Sequence, residues 1–239
     1  MGATSVVSSG RTSVSYVGVG PRRARVVEVT GPDPAGLVWS RLPGWEVIAP
    51  VELGEQLLRR GGRGLRRAHA MRRDLVAQPP AAEWADPVVA PGFRVVACDR
   101  PPGELVEAWR EAFPPGHPDA YPGGDEDVVT DLIGPLLSGR VLGPLLPCSG
   151  LVVDSGERVV AAAVVNDRDG VPWVGDVFRR PGSACAGLGS VLLRRALAKA
   201  AADGWAAMGL AVTVGNPAVR VYERLGFEVT GTWLTVAVP

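Results

Sequence analysis

The feature that most constrains this chain is a glycine-rich turn set between an apolar strand and an Arg/Ala-rich helix. Residues 173–179 read as the strand and Leu188–Ala202 as the helix, joined through Pro181-Gly182-Ser183-Ala184-Cys185-Ala186-Gly187-Leu188-Gly189-Ser190. Small residues let backbone N–H groups approach an anion closely, and a helix N-terminus adds roughly half a unit of positive charge. Such a turn suits a pyrophosphate. Leu192 stands where a dinucleotide fingerprint would carry its third glycine, and no Gly-Lys-Ser/Thr follows. Both the dinucleotide fold and the nucleoside-triphosphate loop are therefore disfavoured. Glycines that merely permit close helix–sheet packing would give the same local pattern.

A second apolar strand, 206–214, follows the helix. Next comes Asn216-Pro217-Ala218-Val219-Arg220-Val221-Tyr222-Glu223-Arg224-Leu225-Gly226-Phe227. Its tyrosine is a candidate proton donor. Upstream, residues 93–98 read as a strand and 103–113 as a helix whose apolar face carries Leu105, Ala108 and Trp109. A turn-rich acidic loop, 114–127, holds His117, Asp119, Tyr121, Asp125, Glu126 and Asp127, and a short helix over 128–137 follows. Two strands, 149–154 and 158–166, flank a Ser155-Gly156 turn. Helix 217–225 and strand 228–238 close the chain. The succession describes an α/β domain on one mixed sheet. No internal repeat is evident in the residues.

The first 92 residues carry a different pattern. Residues 1–24 have no helical period and are expected to be partly untethered. Residues 25–29 read as a short strand, ended by the turn signal Gly31-Pro32-Asp33-Pro34. Residues 51–75 show helical spacing in Leu53, Leu57 and Leu58, then Leu65, His69 and Arg72; Gly61, Gly62 and Gly64 should divide them into two helices. The second piece gathers Arg59, Arg60, Arg63, Arg66, Arg67, Arg72 and Arg73, which reads as a solvated face or as a docking surface for an anionic group. Residues 78–91 are Pro/Ala-rich and read as a strap. The expected division is an N-terminal extension over 1–92 and an α/β domain over 93–239.

With 25 Lys+Arg against 25 Asp+Glu, no bulk field steers the chain to nucleic acid or membrane. Cys98, Cys148 and Cys185 form no C-x-x-C pair, and with only His69 and His117 there is no zinc signature and no metal is expected. Free thiols and the absence of a long apolar run lead to an expected cytoplasmic protein.

From Phe93 onward the sequence resembles the Gcn5-related N-acetyltransferase (GNAT) superfamily, most strongly over 171–227. The family motif Pro-x-x-Arg-Gly-x-Gly-x-Gly/Ala, followed by Leu-Leu, is matched at Pro181, Gly187, Gly189 and Leu192-Leu193. The later pattern is matched at Asn216, Ala218, Tyr222, Gly226 and Phe227. Ala184 and Cys185 depart from it, replacing the usual Arg or Gln and a frequent Gly.

The resemblance implies the GNAT fold, a mostly antiparallel mixed sheet flanked by helices, and acetyl-CoA as co-substrate. It implies that residues Ala184, Cys185, Ala186, Gly187, Leu188, Gly189 and Ser190 hold the pyrophosphate. Main-chain groups near Val177, Phe178 and Arg179, together with Asn216, would line the pantetheine arm, and Tyr222 would protonate the departing thiolate. Asp176, on the strand beside the thioester, is the leading candidate for the base, with Glu126, Asp127 and Asp119 as alternatives. Cys185, at a helix N-terminus, is a further candidate nucleophile. The implied reaction is direct acetyl transfer to an amine of a small molecule or peptide, and a homodimer is plausible on the same ground. Two other readings stay open: a non-catalytic CoA-binding or regulatory module, and a nucleic-acid-associated protein using the 59–73 arginines.

Overall fold

A computed structural model describes residues 3–239. The chain forms two compact units, one of residues up to Ala70 together with Val229–Pro239, the other Met71–Glu228.

The first unit opens with β1 (Thr4–Ser9), β2 (Thr12–Gly20) and β3 (Arg23–Thr30). The stretch expected to be untethered is therefore a regular hairpin, paired antiparallel from Thr4↔Val17 to Ser9↔Thr12; residues 1 and 2 lie outside the described residues. Helix α1 (Pro34–Arg41) begins where the turn signal predicts: Asp33 caps it by accepting from Gly36 N, and proline occupies its first turn. Strand β4 (Glu46–Pro50) runs parallel to β3, and α2 (Val51–Arg59) follows it directly.

The second expected helix is a strand, β5 (Arg63–Asp74). Helix α2 ends at Gly61, whose φ of +99° turns the chain out. Beyond it Met71, Arg73 and Leu75 are buried while Arg72 and Asp74 are exposed, the alternation of a strand. The arginines therefore do not share one helical face: Arg60 pairs with Asp33, Arg67 with Glu55, and Arg73 is buried. The final strand, β11 (Glu228–Ala237), pairs antiparallel with β4 from Trp233↔Pro50 to Ala237↔Glu46. Val14, Val26, Val38, Val47, Leu57, Leu234 and Val236 lie in the core of this unit.

In the second unit β6 (Phe93–Val96) is followed by α3 (Gly103–Ala112), α4 (Asp125–Asp127), a π-helical turn (Val128–Ile133) and α5 (Gly134–Leu137). Strands β7 (Gly150–Asp154), β8 (Val159–Arg168) and β9 (Val171–Arg179) come next. Helix α6 (Leu188–Ala202), β10 (Ala207–Thr213) and α7 (Val219–Arg224) complete it. The strand order is β10-β9-β8-β7-β6, antiparallel except for the parallel pair β9/β10. All residues from Val159 to Asn166 are buried, as expected of a strand covered on both faces. Leu105 and Trp109 of α3 pack with Ala162 and Phe178, while Leu188 and Leu192 of α6 pack with Val160, Ala161 and Ala163.

The structure contains a repeat that the residues do not announce. Residues 4–74 and 150–237 both run strand, strand, strand, helix, strand, helix, strand. In each, the first three strands pair antiparallel and the fourth runs parallel to the third.

Candidate active site

The site begins at an irregularity in β9. Its pairing with β8 passes from Val164↔Asp176 to Val165↔Val174, so Gly175 is an extra, bulged residue. A Cβ at Gly175 would lie 2.9 Å from Leu136 Cδ2 and 3.1 Å from Asn166 Oδ1, which explains the glycine. Among the described residues the parallel ladder joins Trp173 and Val174 of β9 to Gly209 and Leu210 of β10, and it ends before the bulge. From Asp176 onward, β9 has one edge free of β10. Val177 and Arg179 are half-buried, Phe178 is a core side chain, and the Arg179 guanidinium donates to Arg180 O at 2.9 Å.

At the end of β9 the glycine turn leads into α6. Gly187 caps the helix with φ +83°, and no side chain accepts from the helix N–H groups there. Nothing stands within 4 Å of a Cβ built on Gly187, and at Gly189 the nearest atom is Val177 Cγ2 at 3.8 Å. An uncapped N-terminus fronted by open space is what an anionic group requires, so the residues present fit the pyrophosphate of acetyl-CoA. Cys185 is buried against Leu188 and Leu192, so its thiol faces the core rather than the turn. The neighbouring Arg180 is committed elsewhere, donating to Val159 O and pairing with Glu107 and Glu111.

Three further candidate residues, Tyr222, Asp176 and Asp119, lie within electrostatic reach of one another. Tyr222 of α7 is 8% exposed, and burial first, then the carboxylates of Asp176 and Asp119, push its pKa above the ordinary tyrosine value. Its hydroxyl is thus held protonated. Asp176 Oδ2 accepts from the Trp109 indole N–H at 2.8 Å. Asp119 accepts from the Thr213 hydroxyl, and from Asn216 Nδ2 at 2.6 Å. Asn216 also accepts at Oδ1 from Ala218 N, so its amide is engaged on both ends. The backbone N–H of Asp119 donates to His117 Nδ1, and the His117 ring stacks edgewise on Phe113, itself against Trp109.

The other acids of the loop are not drawn in. Asp127 accepts from Gly124 N, Asp125 pairs with Arg110, and Glu126 is exposed. Trp109 and Thr213 join the site without having been singled out for it; a buried indole on an apolar helix face reads from sequence as core, and only the fold puts a carboxylate at its N–H. Burial pushes the Cys98 thiol up to about 12 and the Cys148 thiol up to about 11, which keeps both neutral. Among the described residues no group of three His, Cys, Asp or Glu could hold a metal ion, and no helix is long and apolar enough to cross a membrane.

Solved structures of similar fold cover nearly the whole chain. A GCN5-related N-acetyltransferase from Sphaerobacter thermophilus matches at 18% identity and TM-score 0.61, over 95% of this chain and 76% of that one. One from Kribbella flavida matches at 20% identity and TM-score 0.59, over 99% and 90%. A tandem GNAT protein from the clavulanic acid biosynthesis pathway matches at 15% identity and TM-score 0.60, over 99% and 84%. No curated protein sequence matches the chain. At these identities the structures establish the fold, and the family follows from the sequence itself: residues 105–227, just over half of the chain, match the model of the acetyltransferase (GNAT) family. The chain belongs to that family of acetyltransferases.

Proposed function

We propose that this protein transfers the acetyl group of acetyl-CoA to an amine by direct attack in a ternary complex. The observation that carries the reading is the joint placement of an open, uncapped α6 N-terminus and a protonated, buried Tyr222 flanked by the carboxylates of Asp176 and Asp119. Acetyl-CoA, as co-substrate, supplies an activated acetyl thioester. Backbone N–H groups over 184–190 hold its pyrophosphate, and the free edge of β9 at Val177, Phe178 and Arg179 receives the pantetheine arm. Asn216 braces that wedge through Asp119 and Ala218.

Asp176, fixed by the Trp109 indole, accepts the proton of the attacking amine. The amine nitrogen bonds to the acetyl carbon, the carbon–sulfur bond breaks, and Tyr222 gives its proton to the departing sulfur. Main-chain N–H groups beside the Gly175 bulge polarise the carbonyl. Asp119 and Asp176 together make the acceptor side anionic, which attracts a cationic amine. Cys185 has no part, because its thiol is turned into the core.

The test is turnover, read as free thiol released from acetyl-CoA over a panel of amines, alongside calorimetric titration. Micromolar acetyl-CoA binding lost in Gly187→Trp, with turnover on some member of the panel, supports the reading. Binding without turnover on any amine favours a CoA-binding module instead. An unchanged pH–rate profile in Asp176→Asn would remove the base from Asp176.

A further inference from the structure

We infer that residues 4–74 are an internal copy of residues 150–237 whose cofactor end is closed by the chain's own Asp33, so that each chain holds one acetyl-CoA and the first unit holds none. The inference rests on the proposed cofactor site of the second unit.

The likeness of the two halves goes beyond element order. The β2/β3 pairing passes from Ser15↔Glu28 to Tyr16↔Val26, leaving Val27 bulged on the third strand as Gly175 is on β9. In both halves the parallel ladder to the fourth strand ends just before that bulge, at Arg25↔Ile48 and at Val174↔Leu210. The second helices end alike. Gly61 N donates to Leu58 O at 2.9 Å and Gly62 N to Leu57 O at 3.0 Å; Gly226 N donates to Glu223 O at 2.9 Å and Phe227 N to Tyr222 O at 3.0 Å. Gly61 and Gly226 both take positive φ, +99° and +78°.

This shared helix ending sets Leu57 in the place that Tyr222 holds. Leu57 is fully buried and has no proton to give. The turn before the first helix has changed as well. It is three residues, 31–33, where the second half has eight, 180–187. A Cβ on Gly31 would lie 2.4 Å from Arg11 O, so this turn is packed against main chain, whereas Gly187 faces open space.

A negative charge already sits at the α1 N-terminus. Asp33 Oδ1 accepts from Gly36 N at 2.9 Å, and Arg60 Nη2 reaches Oδ1 at 2.8 Å and Oδ2 at 3.0 Å. A Cβ on Gly36 would lie only 2.1 Å from Asp33 Oδ2, so the carboxylate folds over the first turn of the helix. The helix dipole is satisfied from within. In the second half the corresponding N-terminus has no side-chain cap.

Calorimetric titration of the full chain with acetyl-CoA tests this by its stoichiometry. One equivalent per chain, wholly lost in Gly187→Trp, is the expected result. Two equivalents, or a weaker one that survives Gly187→Trp, would overturn the inference while leaving the proposed function intact. No binding at any ratio would overturn the proposed function and, with it, the inferred one acetyl-CoA per chain. The role of Asp33 has its own readout, inorganic pyrophosphate added in the Gly187→Trp background. Pyrophosphate should not raise Tm there, and should raise it once Asp33→Ala frees Gly36 N and Arg60. Absence of that rise in a folded double variant would overturn the part given to Asp33.

Discussion

A buried phenol beside two carboxylates is a poor place to put a phenolate. Burial and the charges of Asp176 and Asp119 both raise the Tyr222 pKa above the ordinary value of about 10. Tyr222→Phe removes the proton donor with little change in volume, so kcat should fall by about 10²-fold while acetyl-CoA affinity is retained; single-turnover thiol release and calorimetry separate the two. The same shift has a stability signature. The folded chain keeps the Tyr222 proton more tightly than the unfolded chain, so stability is unaffected below about pH 10 and declines as pH rises above it. Alkaline denaturation should show a shallower decline for Tyr222→Phe, and equal slopes in the two proteins would contradict the burial argument. Arg73 holds the same helix from its other end, donating to Leu225 O at 2.5 Å and to Gln78 O at 3.0 Å, with its guanidinium 5.6 Å from the Trp84 ring. Arg73→Met strips a charged donor from the last turn of α7 and should cost about 1.5–3 kcal/mol in denaturant unfolding.

Among the elements, the strand–turn–helix over 171–202 and the α7 segment are readable from sequence because their cues are local. Glycine at the turn, Leu192 and Leu193 on the inner face of α6 and the Asn216–Phe227 run each act within a few residues. β5 is misread for the converse reason. Leu65, His69 and Arg72 fall at helical spacing by chance, and arginines that are exposed on a strand carry no period of their own. The placement of Asp119 is likewise unreadable, since the loop residue meets Thr213 and Asn216 almost a hundred positions away. The bulge at Gly175 lies between these cases: its sequence is ordinary and its role appears only in register. Gly175→Val would drive a side chain against Leu136, Asn166 and Leu142, and should cost about 1–3 kcal/mol. Because Asp176 is the next residue, kcat should fall even in the fraction that remains folded, and the near-ultraviolet signal of Trp109 should change with it.

Across the whole molecule, sequence resemblance and compactness divide the chain in different places. Resemblance marks a domain from residue 93, while the compact units exchange their ends: Val229–Pro239 belongs to the first and Met71–Asp74 to the second. Long-range strand pairing leaves no local trace, and this is why an extension over 1–92 is what a sequence reading returns. The exchange has a consequence for shortened chains. Ending the protein at Glu228 takes from the first unit the antiparallel partner of β4 and the buried side chains of Leu234, Val236 and Val238. At about 1.5–3 kcal/mol per fully buried aliphatic side chain, that loss rivals the roughly 5–15 kcal/mol stability of an entire domain. Starting the protein at Phe93 removes Met71, Arg73 and Leu75 from the second unit, along with the hydrogen bond from Leu75 N to Ala206 O, and strands β11 without β4. The chain ending at Glu228 should lose the transition of its first unit and keep that of the second, whereas the chain starting at Phe93 should give no cooperative thermal transition although it retains the whole family match over 105–227. Co-expression of residues 1–92 with 93–239 should restore one, because every strand then regains its partner. A chain of 93–239 that melts cooperatively on its own would show that the exchanged strand ends contribute little to the second unit.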